Sequence, residues 1–297
     1  MLIADIAAVG AALAWSISTL ISVNPARQLG ALAYTRVRMI IVFFMLAIAT
    51  AVYGGWETIK AKDALMLALS GLIGISLGDT ALFSGLSRLG PRRNSILFAT
   101  NAPISAVLAY FFLGEILDFG TLIGCFLVMV GVFLSIIFGK RRDQIHDWED
   151  VHGQMFVGVA LGLTAGLCQA VGAIIAKPAL EAGADPIAAS SIRVGVGAIC
   201  LVLFALVYGE KTKSRVKIDQ ALLGRVALSG FLGMGIGMSL LLFALARENT
   251  GVVMTLSSMT PVLVLPFLWF MTRERPAIMA TVGAILSVLG TGFIFMT

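Results

Sequence analysis

The chain has 297 residues, 59% of them hydrophobic and 12% charged, against roughly 25% charged in an ordinary soluble domain. With a mean hydropathy of +0.99, most of its surface must meet lipid. The 21 Lys and Arg and 16 Asp and Glu, net +5, lie in short clusters between apolar runs, which excludes a typical soluble enzyme, a disordered chain and a basic nucleic-acid-binding face.

A helix rising 1.5 Å per residue needs roughly 20 mostly apolar residues to cross a hydrocarbon core of about 30 Å. Ten runs meet that length. Each must be helical, because backbone groups in lipid have to pair within their own segment and no run shows the alternation of a barrel. The first, 3–23, carries Trp15 and lacks the basic flank of a signal peptide. The second, 33–53, opens with Arg36 and Arg38, and the third, 64–86, holds Asp79 within GISLGDTALF. The fourth, 95–113, contains Thr100, Asn101, Pro103 and Ser105 and leads into Glu115; the fifth is 121–138.

The polar stretch 139–154 then separates five spans from five. His146 and His152 share that stretch at a spacing that fixes no common face, and Cys125, Cys168 and Cys200 lie in apolar runs, so neither a metal set nor a disulfide framework is predicted and no cofactor is implied. The second set runs 155–176, with Gln169; 187–208, with Arg193; 221–246; 251–271, with Ser257, Ser258, Thr260 and Pro261, leading to Glu274; and 277–296.

Sliding the chain on itself by 159 residues superposes Gly71 on Gly230, Gly74 on Gly233, Gly78 on Gly237, Glu115 on Glu274, Gly124 on Gly283 and Gly131 on Gly290. With small gaps Pro103 meets Pro261, Arg36 meets Arg193, and Tyr53-Gly54 meets Tyr208-Gly209. So many matches indicate a duplication, dividing the chain into a repeat at 1–139, a polar loop at 140–154 and a second repeat at 155–297. An odd number of spans per repeat inverts the second copy in the bilayer, a plan common among secondary transporters. The expected fold is therefore an all-α membrane protein of ten transmembrane helices in two inverted five-helix repeats.

The LAW around Trp15, the TRVR from Thr35 to Arg38, the proline of span four and the FLGE ending it recur as SIRVG around Arg193, SSMTP and MTRE. This pattern resembles the drug/metabolite transporter superfamily, EamA type, over nearly the whole chain. It departs where the family's Gly-Glu becomes Arg273-Glu274 and where Asn101 is matched by Met259. The resemblance implies a ten-helix bundle that moves small organic solutes, often amino acids or related metabolites and sometimes drugs, by alternating access without ATP hydrolysis.

An ionised carboxylate costs several kcal/mol in lipid unless paired or hydrated, so Asp79 should face the bundle interior, either meeting a solute amine or a coupling proton or pairing with an arginine. Arg36 and Arg193 are candidates for a structural or gating ion pair, and Arg38 is read as a lipid contact. Glu115 and Glu274 follow helix C-termini, oppose the dipole there and need a cation or a helix N-terminus; they are read as gate or packing residues. Pro103 and Pro261 should kink their helices and free carbonyls that a cavity can use, or kink them only. Thr100, Asn101, Ser105, Ser257, Ser258 and Thr260 cluster beside those prolines and suit a small polar solute, unless the hydroxyls bond their own helices. Trp15 and Gln169 would add an aromatic wall and an amide if their helices line the cavity as in the resembling family; for Trp15 the lipid interface is an equal alternative. Glycines four residues apart, as at Gly74 and Gly78 or Gly233 and Gly237, mark close helix packing.

The connections after spans one, three, five, seven and nine hold 13 Lys and Arg, against four in the alternate set, Lys60, Lys62, Lys177 and Arg247. The positive-inside rule makes the richer set cytoplasmic and puts both termini outside, whereas the resemblance implies both in the cytoplasm. The leading functional reading is a cell-membrane transporter or facilitator for a small polar metabolite, amino-acid-like and exported. The alternatives are a proton-coupled exporter of drugs or lipophilic cations and a nontransporting scaffold. Catalysis is disfavoured, since no nucleophile and base or metal motif lies at bilayer depth. Partners are the solute and membrane lipid, and monomer and homodimer both fit.

Overall fold

The computed structural model describes residues 2–138, 154–209, 214, 216–260, 262–263, 266–267 and 277–296. Its helices are α1 (Leu2–Leu29), α2 (Ala31–Tyr53), α3 (Ala61–Gly71), α4 (Gly78–Ala99), α5 (Asn101–Leu113), α6 (Phe119–Ile137), α7 (Met155–Glu181), α8 (Pro186–Tyr208), α9 (Gln220–Gly230), α10 (Met238–Leu245), α11 (Thr250–Ser257) and α12 (Ile278–Met296). Two π-helical turns, Leu72–Leu77 and Phe231–Gly237, join α3 to α4 and α9 to α10. Eight of these stretches are long and apolar enough to cross a bilayer, and Leu97–Leu113 is a shorter apolar helix. Span nine begins as α11 and runs on into residues that include Pro261 and Glu274, which lie outside the described set, as do His146 and His152.

The packing is that of a protein dissolved in lipid. Phe111, Phe112, Leu206 and Val207 face outward, while the buried positions are dominated by Ala, Gly and Ser. Lipid tails are as apolar as leucine, so helices associate where small residues let backbones approach. The contact between α6 and α12 is the tightest case. A Cβ at Gly131 would lie 2.4 Å from the Gly283 carbonyl oxygen, and one at Gly283 would lie 2.5 Å from that of Gly131. The offset of 159 maps this pair onto Gly290 and Gly124, where a Cβ would lie 2.7 and 2.9 Å from the other's carbonyl oxygen, so the same contact recurs with the two repeats exchanged.

Elsewhere the repeats interlock. Helix α1 packs on α9, α10 and α11, and α7 packs on α3, α4 and α5, so the first span of each repeat is bound to the other repeat. Helices α2 and α8 pack on each other. Both have 23 residues and end at Tyr53-Gly54 and Tyr208-Gly209, which sets their offset at 155 residues.

Three segments depart from the sequence reading. The connection expected near 87–94 is helical, because Gly78–Ala99 forms one helical segment. Asn94 Nδ2 donates to the Leu82 carbonyl at 3.1 Å, though twelve residues of straight helix would separate them by about 18 Å; the segment therefore folds back between them. Span four is interrupted at Thr100, between α4 and α5, one turn before Pro103. A proline ring clashes with the carbonyl four residues earlier and offers it no N–H, which breaks the helix there. Span six continues past Ala176 to Glu181, so Lys177 belongs to a helix and not to a loop.

Candidate functional site

A cavity of about 160 Å³ lies within the bundle, with walls from both repeats. Trp15, Ser18 and Ser22 come from α1, Arg38 from α2, Asp79 and Asn94 from α4, Asn101 from α5 and Gln169 from α7. Met234, Met238, Met254, Ser257, Ser258 and Thr260 complete it from the second repeat. It spreads from mid-bundle toward the face where α1 ends and α4 folds back.

Of the sequence-predicted solute residues, Trp15, Asp79, Asn101, Gln169, Ser257 and Ser258 line this cavity, whereas Thr100 and Ser105 do not. The Thr100 hydroxyl donates to the Leu97 carbonyl at 2.6 Å, and Asn101 Nδ2 donates to that of Phe98 at 2.7 Å. Side chains thus occupy the Leu97 and Phe98 carbonyls at the break, whereas the carbonyl that Pro103 deprives of an N–H is that of Ala99. Ser105 is buried on α5 with an unpartnered hydroxyl among the described residues. Across the repeats, Ser258 Oγ lies 3.4 Å from Asn101 Oδ1 and 2.8 Å from the Met254 carbonyl. Ser257 and Thr260 donate to the carbonyls of Met254 and Ser257 at 3.1 Å. Because these hydroxyls spend their hydrogens on their own helix, their oxygens remain as acceptors for a donor in the cavity. Trp15 is not a lipid anchor: its indole Nε1 donates to the Gly233 carbonyl at 2.7 Å, in the π-helical turn of the other repeat.

The charges are arranged differently from the sequence expectation. Arg38, read as a lipid contact, is 5% exposed and lines the cavity, while Arg36, two residues earlier, is half-buried and does not line it. The equivalent of Arg193 is Arg38, since the Tyr-Gly ends of α2 and α8 put these two at the same offset of 155. Their seats match as well. A Cβ at Gly233 would lie 2.5 Å from Arg38 Nη2, and one at Gly74 would lie 3.1 Å from Arg193 Nη2. Each guanidinium therefore rests on a glycine of the opposite repeat's π-helical turn. Arg193 is 1% exposed, stands behind the cavity wall and approaches the Met238 sulfur at 3.3 Å. Asp79, the repeat counterpart of Met238, is 8% exposed and lies in the field of both Arg38 and Arg193.

A second buried polar cluster lies at the opposite face, where α1 begins, α5 and α7 end, and α11 begins. Lys177, on α7, has its Nζ 3.6 Å from Glu115 Oε1 and 3.4 Å from Glu181 Oε1, and it donates to the Glu248 carbonyl. Glu115 accepts hydrogen bonds from the Thr250 N–H at 2.5 Å and its hydroxyl at 2.8 Å. The carboxylate thus meets both a cation and the N-terminus of α11. Asp5 is buried nearby, under the field of Glu248.

The profile of the EamA-like transporter family matches residues 2–137 and 156–296. The uncharacterized transporter YyaM of Bacillus subtilis (strain 168) is 23% identical over 176 residues, covering 59% of this chain and 55% of that protein; the match thus spans about half the length of that relative. An uncharacterized transporter of Clostridium kluyveri (strain ATCC 8527 / DSM 555 / NBRC 12016 / NCIMB 10680 / K1) is 21% identical over 233 residues, covering 78% of this chain and 72% of that protein. A protein crystal structure superposes with a TM-score of 0.79 at 16% identity, covering 98% of this chain and 95% of that one, which shows a shared fold. With both halves of the chain matched, this multi-pass membrane protein belongs to the EamA-like transporter family.

Proposed function

We propose that the chain moves a small, polar, amino-acid-like metabolite across the cell membrane by alternating access, with export the favoured direction. The observation that carries this reading is the cavity itself, which gathers Asp79, Arg38, Asn101, Gln169 and the span-nine hydroxyls from both repeats at mid-bundle. Such convergent polar groups in an otherwise apolar pocket suit one small polar ligand. A volume of about 160 Å³ is close to the ~150 Å³ that holds a benzene-sized molecule, which matches a short amino acid. The cavity reaches toward the Lys- and Arg-rich face, and the Glu115–Lys177 cluster ties α5, α7 and α11 together at the other; loading from the cytoplasm followed by release through that cluster is export.

Met234, Met238, Met254, Phe83 and Phe98 in the walls favour the second reading, a proton-coupled exporter of lipophilic cations. Arg38 weighs against it, because a guanidinium in the same small cavity repels a cationic solute. Counterflow in proteoliposomes with labelled amino acids, nucleosides and organic cations, with and without a pH gradient, separates the two. Saturable, amino-acid-specific counterflow supports the metabolite reading, and flux of organic cations alone replaces it with the second. Asp79→Asn should abolish gradient-driven flux if the carboxylate carries the coupling proton, and should leave gradient-independent counterflow if it pairs structurally.

A further inference from the structure

The most unusual feature at bilayer depth is a charge imbalance. Three ionisable side chains are buried together, the carboxylate of Asp79 and the guanidiniums of Arg38 and Arg193, and Asp79 interacts with both. One negative charge against two positive ones leaves an excess of one positive charge in a medium where an unpaired ion costs several kcal/mol. Arg38 Nε and Arg193 Nε have no hydrogen-bond partner among the described residues, nor has Asp79 Oδ2. The two arginines differ in access. Arg193 is sealed behind the wall beside Met238, whereas Arg38 lines the cavity beside the edge-to-face pair of Tyr34 and Phe83, its Cζ 5.9 and 5.7 Å from their centroids. Those ring contacts and the Gly233 seat fix the planar head without using up its donors.

We infer that Arg38 is the anion-recognition residue of the cavity, and that the solute must carry a carboxylate, which supplies the missing negative charge at this guanidinium. The inference rests on the transport reading above and sharpens it. Asp79 is shared by the two guanidiniums and cannot neutralise both; Arg38, the one that lines the cavity, binds the solute carboxylate through its forked donors, and a solute ammonium, where present, is secondary and meets Asp79 and the hydroxyl oxygens of Ser257 and Ser258. Recognition is therefore set by the acid group and not by the amine, the reverse of what a lone intramembrane aspartate suggests.

The test uses the full chain in proteoliposomes and four relatives of each amino acid that gives counterflow: the free acid, its N-acetyl form, its primary amide and its decarboxylated amine. The free acid and the N-acetyl acid should compete for counterflow within about tenfold of each other, and the amide and amine at least tenfold more weakly. Arg38→Gln should remove the preference for acids, Arg38→Lys should restore part of it, and Asp79→Asn should favour the N-acetyl acid over the free acid. Should the arginine variants fail to fold, as judged by gel filtration, the wild-type ligand series decides alone. Amides or amines competing as well as acids overturn the carboxylate inference while leaving transport standing; an absence of counterflow by any amino acid overturns both. Acid selectivity that survives Arg38→Gln in folded protein removes the role from Arg38.

Discussion

Arg38 and Asp79 depend on neighbours that carry no charge. The guanidinium fits only because Gly233 has no side chain, since a Cβ there would stand 2.5 Å from Arg38 Nη2 and 2.5 Å from Ser18 Oγ. Both obstructions are ends of side chains, so Gly233→Ala should fold but displace Arg38. We expect apparent solute affinity in counterflow to fall several-fold with a small change in melting temperature; unchanged affinity would show that the seat does not matter. Small gaps pair Arg193 with Arg36 as readily as with Arg38, because the two arginines stand two residues apart. The offset defined by Tyr53-Gly54 and Tyr208-Gly209 already selects Arg38, so the signal was present in the chain. Asp79, Asn101, Gln169 and Ser258 were legible for a simpler reason: a polar side chain inside a span must face something other than lipid.

Among the helices, the Lys177 cluster joins α5, α7 and α11 at one face. Lys177 on α7 binds Glu115 after α5 and the carbonyl of Glu248 before α11, so opening that face separates at least three elements. Removing one partner of a buried ion pair costs about 3–5 kcal/mol, because the other charge is left uncompensated. Lys177→Met should therefore lower the melting temperature markedly, and adding Glu115→Gln should recover part of the loss; additive losses in the double variant would show that the two residues do not couple. The sequence reading ends span six at Ala176, just before Lys177 and Pro178, and so counts Lys177 as a loop cation. Here α7 runs through the proline to Glu181. The interruption of span four at Thr100 was legible in Pro103, and the fold-back within Gly78–Ala99 in the break between spans three and four; that this connection is helical was not.

Over the whole molecule, ten spans and the duplication were readable because hydropathy period and glycine spacing survive divergence. The interlocking of the repeats was not, because it depends on which small residues meet across helices. With Lys177 moved into a helix, the charge-poor connections retain Lys60, Lys62 and Arg247, and the positive-inside rule predicts from that asymmetry that both termini lie outside the cytoplasm. A periplasmically active phosphatase fused after Thr297 should be active and a fluorescent fusion there dark; the opposite pair of results would put the C-terminus inside and reverse the assigned direction of transport.

Thiol accessibility at Ser258 tests most directly whether one solute occupies the cavity between the repeats and is reached from one face at a time. In a chain with Cys125, Cys168 and Cys200 replaced by alanine, Ser258→Cys should react with a small membrane-impermeant thiol reagent applied to the Lys- and Arg-rich face. Reaction from the opposite face should be slow, and the transported solute should protect the thiol at concentrations near its counterflow KM. Equal reaction from both faces, or labelling indifferent to solute, would contradict the account.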